Sequence, residues 1–423
     1  MSERSDQELA REISQHEVRD TLHRFEIDRR DFFKFLGGGV VVCVCVRNML
    51  AQESGRARGA GAHELPGDIA SWLHIAEDGR VTVYTGKVEM GQNIRTSLAQ
   101  QVAEELRVPV GSITMVMGDT DLTPWDAGTF GSRTTPTMGP QLRTVAVAAR
   151  TTLVEMAAQR WKLKPDTLVV SNGQVMNPQT KQTITYGELT HGQKIVRMID
   201  DDPTLTPAAQ WQIAGTSVSK VDGRDFVTGR HQYPWDFRRP GMLHGEVLRP
   251  SGFHAKLISL DTSGADKLSG VKVVRDGDFV GVVASDNLMA RQAVNALKAK
   301  WDVPPQPSNK DLFAYLKKNA GPGEDHGSSP GHDRKAAGMP TASWDVKLAG
   351  SYTVQYIAHA PLEPRAAVAE WQGDKLTVWT GSQRPFAIRD ELADAFHVAP
   401  EKVRVLIPDT GSAYGGKHTG DAA

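Results

Sequence analysis

Two stretches of the chain carry the same sequence of patterns. From Gly79 to Asp121, apolar and polar positions alternate through "VTVYTG", pass a polar loop, and then fall into a spacing of about 3.6. A β-branched stretch ending in Asp119-Thr120 follows. From Asp374 to Gly411 the order repeats: "KLTVWTG", a polar loop, a helical period, "VRVLI", and Asp409-Thr410. Both strands end in Thr-Gly, and both helices open on Ile-Arg-x-x-Leu-Ala, at 94–99 and 388–393. The pattern predicts a strand–loop–helix–strand unit used twice, with the two copies facing a shared site.

A different pattern stands near the N-terminus. Phe35 to Val46 is a run of twelve apolar or glycine residues, preceded by Arg29-Arg30 and followed by small residues up to Ala51. It is too short to cross a hydrocarbon core, which takes about 20 residues. The consecutive glycines Gly37, Gly38 and Gly39 make a poor helix interior. A twin arginine ahead of such a run is similar to a Tat export signal, so residues 1–51 are expected to be an address, with a periplasmic or membrane-associated destination. The alternative is a buried core helix preceded by two chance arginines. Residues 52–65 read as a small-residue spacer. Compact segments are expected at 66–202 and 215–303. A Pro-, Gly- and Ser-rich linker spans 304–342, with one short helix near Leu312–Lys318, and a last segment covers 343–423.

Composition narrows the chemistry. The chain has 423 residues, 39% hydrophobic and 23% charged, with a formal net charge of −1. No basic excess exists to neutralise a nucleic-acid backbone, so nucleic acid is not expected as a partner. The two cysteines, Cys43 and Cys45, both lie in the apolar run. If that run is removed, no disulfide, thiolate–zinc site or Cys-held iron–sulfur cluster remains possible, and a redox cofactor must be held by other chemistry.

Such chemistry is available in four glycine-rich loops, whose main-chain N–H groups can hold anionic groups without net charge. They are 86–93 ("GKVEMGQN"), 128–137 ("GTFGSRTTPT"), 381–386 ("GSQRPF") and 411–418 ("GSAYGGKH"). Singly each reads as an ordinary turn; on two repeated units they read as a surface for an extended, phosphate-bearing ligand. The last loop nearly matches GxxxxGK[ST], but His418 stands where a Ser or Thr would hold Mg²⁺. Lys87 is open to two readings, a phosphate contact or a solvated loop lysine. Glu89 and Glu363 read as structural carboxylates, satisfying backbone groups.

With these motifs in order, the chain resembles the molybdenum-cofactor-binding large subunit of the xanthine dehydrogenase/aldehyde oxidase family, of the isoquinoline 1-oxidoreductase beta-subunit type. "GKVEMGQN" resembles the family's cofactor loop, residues 215–261 its α/β hammerhead domain, and "HAPLEPRAAVAEW", "TGSQ" and "GSAYGGK" the start of its first cofactor domain. The "VEMGQ" segment preceding the hammerhead is the order of that branch. The resemblance implies an α+β fold: a hammerhead domain and two related molybdopterin-binding segments, of which the first (66–202) is a permuted second cofactor domain and the last (343–423) is incomplete.

It also implies a reaction and its participants. The family hydroxylates N-heteroaromatic rings or aldehydes with water-derived oxygen. By resemblance the cofactor is a molybdenum–molybdopterin cytosine dinucleotide. Electrons then pass to 2Fe-2S clusters on a small partner subunit, and on to a periplasmic acceptor such as a cytochrome c. Gln383 is implied to hydrogen-bond an oxygen ligand of the metal, with Tyr414 and Gly415 beside it. Gly91, Gln92, Gly131, Ser132, Arg133, Thr134 and Thr135 are implied to hold pterin or phosphate groups, together with Gln383, Gly415 and Gly416. No side chain ligates the metal. His418 sits where xanthine-specific members carry a substrate-orienting Glu. Where the family loop has three successive glycines, Ser412 and Ala413 follow Gly411 here. The family's general-base Glu lies in a part this chain lacks. That leaves two alternatives: a truncated chain, with a non-catalytic remnant as its limit, or a separate polypeptide supplying the other half.

Overall fold

The computed structural model describes residues 38–45, 69–199, 203–321, 348, 350 and 352–423. These form two compact units, one of residues up to Phe237 together with Ile357–Ala423, the other Arg238–Tyr356. Mixed helices and sheets make the fold α+β.

In chain order the first unit begins with strands β1 (Gly39–Cys45), β2 (Ile69–Ala76) and β3 (Val81–Thr85), helix α1 (Ile94–Leu106) and strand β4 (Ile113–Met117). The long helix α2 (Gly139–Trp161) follows, then the small sheet β5 (Val169–Ser171), β6 (Gln174–Met176) and β7 (Thr183–Thr185). After these come helix α3 (Tyr186–Thr190), strand β8 (Lys194–Ile199) and helix α4 (Gly223–Thr228). The main sheet has the order β4-β3-β2-β1-β8. Ile94, Leu98, Val102 and Leu106 recur every four residues on α1, so they share one face. That face meets Leu142, Val145, Ala149 and Leu153 of α2 and the sheet residues Val40, Val42, Leu73, Val81 and Val83 in one core. Alanines at 146, 149 and 157 of α2 are buried in that core, where small side chains let backbones approach.

The second unit holds β9 (His244–Val247), β10 (Lys256–Asp261), α5 (Ser263–Asp266), β11 (Lys272–Asp276), β12 (Phe279–Ala284), α6 (Asn287–Ala296), β13 (Lys298–Asp302) and α7 (Leu312–Lys318). Its sheets are β11-β12-β9 and β10-β13, around a small core of Val280, Val282, Ala284, Ala290, Ala293 and Leu297. The chain then rejoins the first unit as β14 (Ala367–Gln372), β15 (Lys375–Thr380), α8 (Pro385–Phe396) and β16 (Val403–Leu406).

The repeat read from sequence is present in space. β3–α1–β4 and β15–α8–β16 are both parallel β-α-β units. They meet edge to edge: Asp119 bridges Leu406, Ile407 N–H donates to Gly118 O (2.9 Å), and Thr120 N–H donates to Val405 O (3.0 Å). Val88, from the loop after β3, is fully buried in the core of the second repeat with Leu376, Val378, Ile388 and Val405. Gly118 (φ +63°) makes room for it, since a Cβ there would lie 2.8 Å from Val88 Cγ1.

Two sequence expectations meet a different arrangement. The expected domain start at 215 lies within the first unit, because residues 213–221 are tied to α1. Gln100 Nε2 donates to Ile213 O and Thr216 O (both 3.0 Å), and Val221 N–H donates to Thr96 Oγ1 (2.9 Å). Within the apolar run read as part of a leader, Gly39–Cys45 is an internal sheet strand, antiparallel to β2 and parallel to β8. Arg29-Arg30 and the spacer lie outside the described residues. Among the described residues no helix is long and apolar enough to cross a membrane.

Candidate functional site

The four glycine-rich loops close into a ring, each bonded to the next. The first reaches the second through Lys87 and Val88. Lys87 Nζ donates to Asp126 Oδ1 (2.8 Å) and Gly128 O (2.6 Å), and Val88 N–H donates to Thr129 Oγ1 (2.9 Å). The second reaches the third through a reciprocal pair: Thr129 N–H donates to Gln383 O (2.8 Å), and Gln383 Nε2 donates to Thr129 O (2.8 Å). The third holds the fourth, since Gln383 Oε1 accepts from Gly415 N–H (2.9 Å) and Gln383 N–H donates to Lys417 O (2.8 Å). The fourth returns to the first through Thr410 N–H to Glu89 O (3.0 Å) and Ser412 N–H to Met90 O (3.2 Å).

Charges lock the ring from beneath. Glu89 is buried; its Oε1 accepts from Gly91 and Asn93 N–H and its Oε2 from Arg95 N–H, all at 2.9 Å. One carboxylate thereby satisfies the turn and the otherwise orphaned first amides of α1. The two Asp-Thr pairs are held by side chains of the opposite repeat: Arg404 forks onto Asp119 (3.0 and 2.6 Å), and Arg95 binds Asp409 (2.5 Å). Lys417, the lysine of the near P-loop match, is 1% exposed and pairs with Glu363 Oε2 (3.0 Å), which also accepts Gly411 N–H (2.5 Å). It is spent on a buried carboxylate, which leaves no lysine for a nucleotide phosphate. Lys87 is likewise buried and ion-paired, rather than solvated. Burial pushes the Asp126 carboxyl above its ordinary range, against the pull of Lys87 and of Gly128 N–H.

The expected site residues divide into two groups. Gln383, Tyr414, Gly415 and Gly416 come together at the junction of the third and fourth loops. Gln383 is 2% exposed, whereas Tyr414 is 69% exposed. Ser412 (φ +73°) and Tyr414 (φ +56°) hold left-handed backbone that favours glycine, so the turn keeps a glycine-like path despite its Cβ atoms. Gly415 (φ +97°) has no such latitude, because a Cβ would lie 3.1 Å from His359 Nε2. The other group lines the loop rims. Gly91 and Gln92 are exposed; Gln92 folds back, accepting Met90 N–H (2.7 Å) and donating to Val88 O (3.1 Å). Gly131, Ser132, Arg133 and Thr135 are exposed and Thr134 is buried, where a short π-turn (Thr134–Met138) leads into α2. The first amides of such a helix start lack intrahelical partners and suit an anion.

A cavity of about 290 Å³ opens beside the fourth loop, lined by Tyr233, Trp235, Asp236, Glu363, Pro364 and Gly411. Burial, with Glu363, Asp409 and Asp236 adding to it, pushes the Tyr233 phenol up. Sequence reasoning missed the Glu363–Lys417 pair, the Thr129 link and the insertion of Val88. Only the repeated Asp-Thr signalled that the two units are cross-tied.

The molybdopterin cofactor-binding domain matches twice, over residues 19–233 and 331–423. A nicotinate dehydrogenase subunit of Pseudomonas putida is 32% identical over 82% of this chain and 30% of its own length. The beta subunit of isoquinoline 1-oxidoreductase from Brevundimonas diminuta is 26% identical over 81% of this chain and 50% of its own. The chain thus spans half or less of these relatives' length. Among solved structures, quinoline 2-oxidoreductase from Pseudomonas putida 86 is 22% identical over 48% of this chain and 31% of its own, with a TM-score of 0.38. The chain belongs to the molybdopterin cofactor-binding family, the large subunits of the xanthine dehydrogenase type.

Proposed function

We propose that this chain is the N-terminal part of a molybdenum hydroxylase large subunit, and that the ring of four loops cradles the pterin. The observation that carries the reading is the ring itself: the first two loops come from the first repeat and the segment after it, the last two from the second repeat, and the two halves join through Thr129 and Gln383. The residues present fit such a group. Gly415 holds a left-handed turn (φ +97°) packed on His359 beside Gln383, and at the start of the turn into α2 the N–H groups of Thr134 and Thr135 are the ones offered to a phosphate. A Gln amide has two N–H donors. One goes to Thr129 O, and the second is the group offered to an oxygen ligand of the metal. When bound, the molybdenum centre supplies the oxidation of substrate with water-derived oxygen; the chain's own part is to bind and orient. The dinucleotide is the cytosine form in this reading, and the part of 215–303 that lies in the second unit, residues 238–303, serves as the hammerhead domain. A nicotinate-like N-heteroaromatic ring or an aldehyde is the substrate class. The partners are a 2Fe-2S subunit, a polypeptide carrying the general-base Glu, and an acceptor such as a cytochrome c. Export through the twin arginine to the periplasm or its membrane completes the reading.

A scaffold lacking catalysis is the second reading, favoured by Gln383, whose Oε1 and one N–H are already engaged by main chain. Metal and phosphorus analysis of the purified chain separates the two. Cofactor binding predicts about one molybdenum per chain, released on unfolding; a folded chain without molybdenum when produced in a cofactor-synthesising host rejects it.

A further inference from the structure

The cavity beside the fourth loop is left over once the pterin contacts are assigned. Its lining residues, Tyr233, Trp235, Asp236, Glu363, Pro364 and Gly411, all belong to the first unit, and none is among those offered to the cofactor. At about 290 Å³ it lies near the lower end of small-molecule pockets, which run from about 300 to 1,000 Å³, so it has room for one ring with a short substituent. Its walls are held in place. Trp235 Nε1 donates to Pro364 O (3.1 Å), which ties these two lining residues together. Tyr233 N–H donates to Asp236 Oδ2 (2.9 Å), closing the turn between them. The Tyr233 ring meets His231 edge-on (4.8 Å between centroids), and His231 in turn stacks on Phe226 (3.9 Å). Phe237, just past the turn, stacks on Trp379 of β15 (6.2 Å). Walls fixed before binding lose little freedom on binding.

One group in these walls is unaccounted for. The Glu363 side chain is 9% exposed. Its Oε2 binds Lys417 Nζ and Gly411 N–H, and its main-chain N–H donates to Gly411 O (3.2 Å). Oε1 is buried and meets no hydrogen-bond partner among the described residues. A buried carboxylate oxygen without a donor is costly, so one at a cavity wall calls for a donor from outside the chain. Lys417 neutralises Glu363, but Asp236 adds a second carboxylate to the lining. The local field is negative: after burial itself, Glu363, Asp409 and Asp236 push the Tyr233 phenol up. Such a field repels an anion and favours a cation, as do the faces of Tyr and Trp rings. We propose that this cavity binds a single-ring aromatic carrying a protonated nitrogen substituent, its N–H on Glu363 Oε1 and its ring against Tyr233 and Trp235. The site goes beyond the molybdenum hydroxylase reading and does not rest on it.

Benzamidine, benzamide and benzoate carry the same ring with a cationic, a neutral and an anionic substituent of similar shape. In isothermal titration calorimetry of the full-length chain at low salt, benzamidine should bind one per chain with a Kd of about 1 mM or tighter. Benzamide should bind at least about 10-fold more weakly, the difference between charged and neutral hydrogen bonds, and benzoate not measurably. Trp235→Ala changes an exposed residue outside the ring of loops, and should weaken benzamidine at least about 3-fold. Glu363→Gln alone strands Lys417, so it is made together with Lys417→Met; this double variant should lose the preference for benzamidine over benzamide. Binding should be equal in molybdenum-free and molybdenum-loaded chain. A chain that takes up no molybdenum yet binds benzamidine therefore rejects the pterin cradle and leaves this site standing. The proposal is overturned by absent benzamidine binding, by benzamide or benzoate binding as tightly, or by an unchanged affinity in Trp235→Ala. A preference that survives the double variant overturns it too.

Discussion

Lys417 and Glu363 show how a residue's neighbours decide its chemistry. An ammonium that is 1% exposed is tolerable only because a carboxylate lies 3.0 Å away. Removing one partner strands the other, and such losses cost about 3–5 kcal/mol. Lys417→Met should therefore lower the urea-unfolding free energy by an amount of that order, while the double change with Glu363→Met should recover much of it. Glu104 gives a pH signature. Burial opposes its ionisation, but the N–H groups of Ile213, Gln212 and Ala214, with Arg107, outweigh it and hold the carboxyl below its ordinary 4.5. Its stabilisation is complete above that value and lost as pH falls through the depressed native value, because the unfolded chain takes up the proton first. Unfolding midpoints measured from pH 7 to 3 should fall in the wild type and fall less steeply in Glu104→Gln.

At the level of elements, the β-α-β repeat was legible because its apolar period switches twice within forty residues, and its Thr-Gly and Asp-Thr punctuation recurs. The short helix Leu312–Lys318 was legible for the same reason. The strand β1 was not: a run apolar at every position has no period, so a buried strand and a leader core look alike. Nor could the sequence show where Lys87 points, since its partner Asp126 is 39 residues away on another loop. Glu89 offers an element-scale test. Its carboxylate takes three amides of the turn and of α1, so Glu89→Ala should destabilise the first unit by about 1–3 kcal/mol, the cost of leaving such groups unsatisfied. Amide hydrogen exchange at residues 91–97 should rise more than elsewhere.

For the whole molecule, the joint between the repeats matters more than either repeat. Arg404 forks onto Asp119, and Val88 plugs the second core, so the ring exists only while the two repeats touch. Arg404→Met should leave both β-α-β units folded by circular dichroism yet lower molybdenum content to a small fraction of the wild-type value. Full metal loading in that variant would place the cofactor on one repeat alone. The same joint also sets a timetable. Arg404 and Asp119 are 285 residues apart, and Arg95 and Asp409 are 314 apart. At synthesis rates of about 5–20 residues per second, the first repeat waits roughly 15–60 s on the ribosome for its counterpart. Whatever delivers the pterin must meet a chain already translated past the fourth loop, because until then only half of the ring exists.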